Sequence, residues 1–260
     1  MPNAPFHVAV ISWDGKAAAA RQIAAALAGA AQVSVIYSNR AEQPETGPGS
    51  WLQLPNSAYF GPKFALALAQ TPPGCGLLLI HADTTFPDWP QLFQRCGLAF
   101  ASFADLAVWS PDFSFTPWRT DLVQVFAQPS LAGLVSVMQT DGIVTAFSPG
   151  TVDRLRRLDL TGNNLGWGID WVAVAHAYAT GQRVLRDTTL RVSHPRSRSY
   201  RSSEAGDTMR SFFAQLTDAE RAQIALLRAY FYLRKDDLRP WYARLWYALG
   251  AKRKDPLSGL

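Results

Sequence analysis

Near the N-terminus a seven-residue apolar run, Phe6-His7-Val8-Ala9-Val10-Ile11-Ser12, is followed after four residues by the alanine-dominated stretch from Ala17 to Ala30. A short continuous apolar run reads as a buried strand. Alanine is the strongest helix former, and Ile23 and Leu27 share one face of the helix it predicts. Gln32 to Tyr37, rich in Val and Ile, predicts a second strand. Strand, helix and strand in this order form a parallel crossover unit. That unit commits the chain to an open α/β sheet, whose ligands gather beyond the carboxyl ends of its strands.

The remaining pattern extends the sheet. Residues 40–58 carry Pro, Gly, Ser and Asn and read as loop, and helical character resumes from Gly61 to Ala69. Gly76 to Ile80 is a third apolar strand that stops abruptly at His81-Ala82-Asp83. A helix is expected over Trp89 to Cys96, a short strand over Leu106 to Trp109, and an aromatic-rich loop over residues 110–120. Leu122 to Phe126, Leu134 to Val137 and Ile143 to Phe147 are strand-like. Thr151 suits an N-cap for a helix reaching Leu158, and a further helix runs from Gly168 to Thr180 and ends at Gly181. Arg183 to Val192 alternates as a strand, Ser202 to Asp207 reads as a polar linker, and residues 208–250 are helix-rich. Three strand ends are polar: Ser12-Trp13-Asp14, Ser38-Asn39-Arg40 and His81-Ala82-Asp83. In this architecture they converge on one crevice.

Several function classes are excluded. With 260 residues, 48% hydrophobic and 17% charged, the chain can fill one large domain or two small ones, and disorder is ruled out. No apolar stretch approaches the ~18 residues of a membrane span. The start lacks a basic leader, and two cysteines, Cys75 and Cys96, cannot build a disulfide framework or a zinc knuckle. Both features fit a cytoplasmic chain. There is no GxxxxGK[ST] loop, no GxGxxG after the first strand and no GxSxG elbow, which argues against P-loop enzymes, typical NAD enzymes and α/β-hydrolases. Charge is uneven: residues 183–260 hold 16 basic and 8 acidic side chains, whereas residues 1–182 hold 9 and 12. A basic C-terminal third suits an anionic partner, or simply a solvated surface.

A few residues stand out as chemistry. Asp83, at the tip of a buried strand, is held where a carboxylate can bind a divalent cation, and it also reads as the cap of the Thr84–Pro87 turn. Asn164-Leu165-Gly166-Trp167-Gly168-Ile169-Asp170-Trp171 places an indole between two glycines and an acid at a helix start. Such an indole can face a sugar ring. The helix dipole is expected to keep Asp170 ionised, as a proton acceptor or as a simple cap. His194 ends a strand-like run, and the segment Arg196 to Arg201 offers guanidinium forks for phosphate oxygens. Asp141, in Gln139-Thr140-Asp141-Gly142, is a second acid that fits either a substrate contact or a turn.

Taken in order, these segments resemble a GT-A glycosyltransferase, close to family 2 of the nucleotide-sugar-dependent enzymes. The likeness runs from Ser12-Trp13-Asp14 through Tyr59-Phe60-Gly61-Pro62-Lys63, His81-Ala82-Asp83 and Gly166-Trp167-Gly168-Ile169-Asp170 to His194, over roughly residues 6–200. It implies an α/β GT-A fold, a mixed and mostly parallel sheet flanked by helices, with a catalytic domain over residues 1–205 and a helical basic and aromatic extension over 206–260. It further implies sugar transfer, with inversion, from a nucleotide-sugar to a glycan or lipid-linked acceptor, assisted by Mn²⁺ or Mg²⁺. Asp83 and His194 would hold the metal, and Asp170 would be the base. Ser12, Trp13, Asn39, Lys63, His81, Arg196 and Arg198 would meet the donor, and Trp167 and Asp141 the acceptor. His81 departs from the family by standing where the first acid of an Asp-x-Asp motif lies. A nucleotidyltransferase on a similar sheet and an inactive nucleotide-sugar or glycan-binding relative are the alternatives. No nucleic acid is expected.

From Leu226 to Leu249 the aromatics Tyr230, Phe231, Tyr232, Trp241, Tyr242, Trp246 and Tyr247 mix with Arg234, Lys235, Arg239 and Arg244. That mixture suits peripheral contact with the inner face of a membrane, helices packed on the catalytic domain, or a protein contact.

Overall fold

The computed structural model describes residues 5–126, 133–195 and 202–237. In chain order its elements are β1 (Phe6–Ser12), α1 (Ala17–Leu27), β2 (Gln32–Tyr37), β3 (Ser50–Gln53), α2 (Phe60–Gln70), β4 (Gly76–His81), α3 (Trp89–Ser102) and β5 (Leu106–Phe113). They continue with α4 (Thr120–Val123), β6 (Gln124–Phe126), β7 (Leu134–Val137), β8 (Val144–Phe147), α5 (Pro149–Arg156), α6 (Ile169–Ala179), β9 (Arg183–Val192), α7 (Ser202–Phe213) and α8 (Asp218–Asp237).

The nine strands form one mixed sheet in the order β3-β2-β1-β4-β8-β5-β9-β7-β6. β3, β2, β1 and β4 pair in parallel; β8 then runs antiparallel between β4 and β5. Alternation along each strand divides the core into two layers. On β1, Ala9 and Ile11 face the layer that holds Phe64 of α2 and Val172 of α6, while Val8 and Val10 face Ile23 of α1 and Leu92 of α3. Leu77 and Leu79 of β4 join the first layer, and Leu78 and Ile80 the second. Both faces are covered, which explains the unbroken apolar runs in the sequence. Each of these four β4 residues is at most 1% exposed. At ~1.5–3 kcal/mol for each buried aliphatic side chain, β4 is a stiff mount for the residues at its tip.

Local expectations needed five corrections. The loop expected over 40–58 contains edge strand β3, where Trp51 and Leu52 pair with Val35 and Ile36 despite flanking Pro and Gly. β5 continues through Pro111 to Phe113, with a register shift between Pro111 and Asp112. A bulge is where a strand tolerates the missing N–H of proline. Leu122 and Val123 belong to the turn of α4 rather than to a strand. Ser148, not Thr151, caps α5, and its Oγ accepts from Thr151 N at 3.3 Å. The expected linker from Ser202 to Asp207 is the first half of α7, which buries Met209 and Phe212.

Helices α7 and α8 share the core of the sheet. Phe212, Ile224, Leu227 and Phe231 join the layer formed by α2, α5 and α6. The Trp118 ring stands edge-on to Trp171 at 5.5 Å and to Phe231 at 5.2 Å. Beneath them, Arg154 of α5 donates through Nε and Nη2 to Glu220 at 2.7 and 2.8 Å. Glu220 also accepts from Thr217 N, while the Thr217 hydroxyl accepts from Glu220 N, so the carboxylate closes the start of α8 as well. Among the described residues no helix is long and apolar enough to cross a membrane. The basic and aromatic positions Trp241 to Tyr247 lie outside the described residues.

Candidate functional site

β1, β2 and β4 are parallel, so Ser12, Tyr37 and His81 end on one rim. Between the ends of β1 and β2 lies a cleft of about 260 Å³, lined by Ser12, Trp13, Asp14, Tyr37, Ser38 and Asn39 among others. The Asn39 side chain is already engaged: Nδ2 donates to Gln43 O at 2.8 Å and Oδ1 accepts from Gln43 N at 3.1 Å. Lys63, expected to meet a donor, is fully buried. Its Nζ donates to Ser12 O at 2.7 Å and lies 4.9 Å from the centre of the Trp13 ring. Burial pulls its pKa down to about 7. Lys63 therefore braces the end of β1 and the cleft wall through Ser12 and Trp13. The Ser12 hydroxyl is itself enclosed and without a partner.

At the tip of β4, His81 and Asp83 meet His194. Two backbone hydrogen bonds bring the distant histidine in: Thr85 N to Ser193 O at 2.9 Å and Ser193 N to Thr85 O at 3.0 Å. Asp83 Oδ2 lies 3.4 Å from His194 Nε2, and one potential ligand atom from each of the three residues lies within 4.8 Å of the others. His81 Nε2 and Asp83 Oδ1 are enclosed and have no hydrogen-bond partner. The His81 ring is flanked by Trp13 and Phe60, each with its centroid 5.0 Å away. Burial pulls the His81 pKa down to about 4, with the charges of His194 and Lys63 adding to the drop and that of Asp83 opposing it, so the imidazole is neutral at pH 7. For Asp83, burial works against ionisation. The hydrogen bond and charge of His194, with His81, outweigh it and hold the pKa below the ordinary value. Two imidazoles and a carboxylate, with an unsatisfied nitrogen and oxygen among them, fit a divalent transition cation. The placement corrects the reading of His81 as a donor contact alone. It joins the prospective ligand set in place of the missing acid.

Asp170 opens α6 beside Gly168, whose φ of 91° needs a residue without a side chain. A Cβ at Gly168 would collide with Phe213 and Met209 of α7, and one at Gly166 with Phe60. The close approach is by protein side chains, so α2 packs on one glycine and α7 on the other, on either side of the half-buried Trp167 in the sequence. Asp170 Oδ1 accepts from Trp171 N at 2.9 Å and Oδ2 from Gln139 Nε2 at 2.7 Å. Burial pushes its pKa up to about 7; the charge of Asp141 adds to the rise, and the hydrogen bonds moderate it. The expectation that the helix terminus keeps this group ionised is therefore met only in part: loss of water offsets the dipole and leaves the carboxyl part-ionised at neutral pH.

The two acids share the rim. The turn carrying Asp141 and Gly142 links β7 to β8, and His81 N donates to Ile143 O at 3.0 Å. A Cβ at Gly142 would lie 3.7 Å from Asp170 Cβ. Phe60 spans the other side, touching His81 and packing on Gly166. Of the residues singled out in the sequence, Ser12, Trp13 and Asn39 line the cleft and His81, Asp83 and His194 form the cluster. Asp141 lies two residues before Ile143, whose carbonyl accepts from His81 N, Asp170 lies against the Asp141–Gly142 turn, and Trp167 follows Gly166, which Phe60 covers. Arg196 and Arg198 lie outside the described residues. Gln139 was missed; its only signal was a polar residue closing the apolar run Leu134 to Met138.

No family model matches the chain, and no curated protein matches it by sequence. Solved structures do match it. GalNAc-T7, in a crystal structure with UDP, GalNAc and Mn²⁺, has a TM-score of 0.58 at 10% identity, over 85% of this chain and 50% of that one. S. aureus TarS 1–349 has a TM-score of 0.57 at 14% identity, over 95% of this chain and 75% of that one. A second S. aureus TarS structure has a TM-score of 0.56 at 15% identity, over 95% and 46%. The chain thus spans half the length of the GalNAc-T7 chain.

Proposed function

The chain has the GT-A fold of glycosyltransferases, and we propose that it works as one, transferring a sugar from a nucleoside diphosphate donor to a hydroxyl of a glycan or lipid-linked acceptor with inversion at the transferred carbon. The observation that carries this reading is the cluster of His81, Asp83 and His194, with its unsatisfied ligand atoms beside the β1–β2 cleft. A neighbour crystallised with UDP, GalNAc and Mn²⁺ supports it.

In this reading the cleft from Ser12 to Asn39 receives the nucleoside. Asp83, His194 and His81 would hold Mn²⁺ or a similar cation, which when bound supplies positive charge for the departing diphosphate. Trp167 offers its indole to the acceptor sugar, and Asp141 takes a contact to the acceptor beside it. Asp170 accepts the proton of the acceptor hydroxyl. As that O–H bond breaks, the acceptor oxygen bonds to the sugar carbon and the carbon–oxygen bond to the diphosphate breaks. Attack opposite the leaving group inverts the carbon. A pKa near 7 suits Asp170 to taking a proton at neutral pH.

Thermal denaturation with UDP or GDP, with and without Mn²⁺, tests the proposal. A nucleotide and metal together should stabilise the wild type by ~2.7 kcal/mol at a hundredfold excess over Kd, and Asp83→Ala should lose the metal-dependent part. Failure of every nucleotide to shift the transition in the presence of metal would sink the proposal.

A further inference from the structure

Gln139 ends the stretch that follows β7 and is 1% exposed. Its Nε2 donates to Asp170 Oδ2 at 2.7 Å, whereas its Oε1 is enclosed and unpartnered. The backbone around it is tied down from three sides. Met138 N donates to Val123 O at 2.8 Å, Tyr178 Oη donates to Val137 O at 2.8 Å, and Arg186 Nη2 donates to Gln139 O at 3.2 Å. Arg186, on β9, is fully buried and held in turn by Trp118 O at 2.6 Å and Thr120 Oγ1 at 3.2 Å. A buried amide on so fixed a backbone cannot drift away from the carboxyl it touches.

We propose that Gln139 is the positioning residue of Asp170, an amide that fixes the carboxyl plane and can serve the group with or without its proton. This rests on the reading of Asp170 as the acceptor of the substrate proton. Trp171 N and Gln139 Nε2 each hold one carboxylate oxygen, so rotation of the group would break both bonds. An ionised carboxylate only accepts, and the NH₂ end of the amide matches it. Once Oδ2 has taken the proton it becomes a donor. A half-turn of the amide then brings Oε1, now idle, to accept from that O–H. Leu or Met could fill the same space but could serve neither state. The charged groups around the pair are Asp141, on the turn before β8, and Arg186 behind the Gln139 backbone, itself facing Asp112 and Asp141.

The test is Gln139→Met in the full chain, read by ¹³C NMR titration of the Asp170 carboxyl and by the pH profile of transfer. Loss of the donor to the ionised form should raise the Asp170 titration by about one pH unit and move the rising limb of kcat with it. kcat at neutral pH should fall about tenfold while the acceptor KM changes less than about twofold. Gln139→Asn, which withdraws the amide by one methylene, should shift the titration in the same direction and serves if the Met variant does not fold. An unmoved Asp170 titration in a folded variant overturns the proposal. The NMR measurement needs no substrate, so this failure is distinct from failure of the Asp170 base assignment, which would appear as undiminished transfer in Asp170→Asn, and from failure of the transferase reading, in which no nucleotide shifts the thermal transition.

Discussion

Asp83 and Asp170 are the same residue type on the same rim, and the fold drives their acidities apart. Both lose water. Asp83 has an imidazole 3.4 Å away and ends below the usual carboxylate pKa. Asp170 has an amide and a backbone N–H as partners, with the like charge of Asp141 nearby, and rises to about 7. Environment thus makes one carboxyl fit to hold a cation and the other fit to carry a proton.

The largest effect that could break this contrast is in the rate. Asp170→Asn should reduce transfer by ~10²–10⁴-fold. In the wild type, transfer should rise with pH through about 7 as the base loses its proton, and the variant should lack that limb. Calorimetry should find nucleotide and metal binding unchanged; parallel loss of binding would mean that both acids serve the cation.

Next comes a third carboxylate, the buried Glu220, as a control away from the rim. Burial opposes its charge, but Arg154 and the cap at Thr217 bring its pKa down to about 2. Its stabilising contribution is therefore complete above the unfolded value of 4.5 and disappears as pH falls towards 2. Glu220→Ala should cost ~3–5 kcal/mol in denaturant unfolding at pH 7 by leaving the buried Arg154 charge without its carboxylate. If the folded variant loses its nucleotide-and-metal shift, the two regions are coupled and Glu220 is no control.

The smallest effect sharpens the contrast. Asp141→Asn removes the like charge from Asp170 and should lower its titration by ~0.5 pH unit, with the limb of kcat following. NMR would show an upward or absent shift if Asp141 did not set the acidity of its neighbour.

Much of the sheet was legible in local pattern: apolar runs located β1, β2 and β4, and polar residues marked their ends. The pairing of His194 with Asp83 came from the resemblance to glycosyltransferases, not from local pattern. What escaped depends on distant contacts. Trp51 and Leu52 look like loop until β2 supplies a partner. Ser202 to Asp207 looks like a linker until Met209 and Phe212 find the core. The dipole argument for Asp170 used only its own helix, whereas its acidity is set by burial among residues from elsewhere, with Asp141 and Gln139 on a separate turn. His81 looked like a lost acid because its Asp83 and His194 neighbours make sense of it only in three dimensions.

The reversal of β8 has one further consequence. Had this four-residue strand run the other way, the residues that lead into it would lie at the opposite end of β4, ~13 Å off at ~3.3 Å per residue. Asp141 and Gly142 would then lie away from the tip of β4, and Ile143 O could not accept from His81 N. The polarity of one short segment thus decides whether a second acid stands near the tip that carries the imidazole of His81.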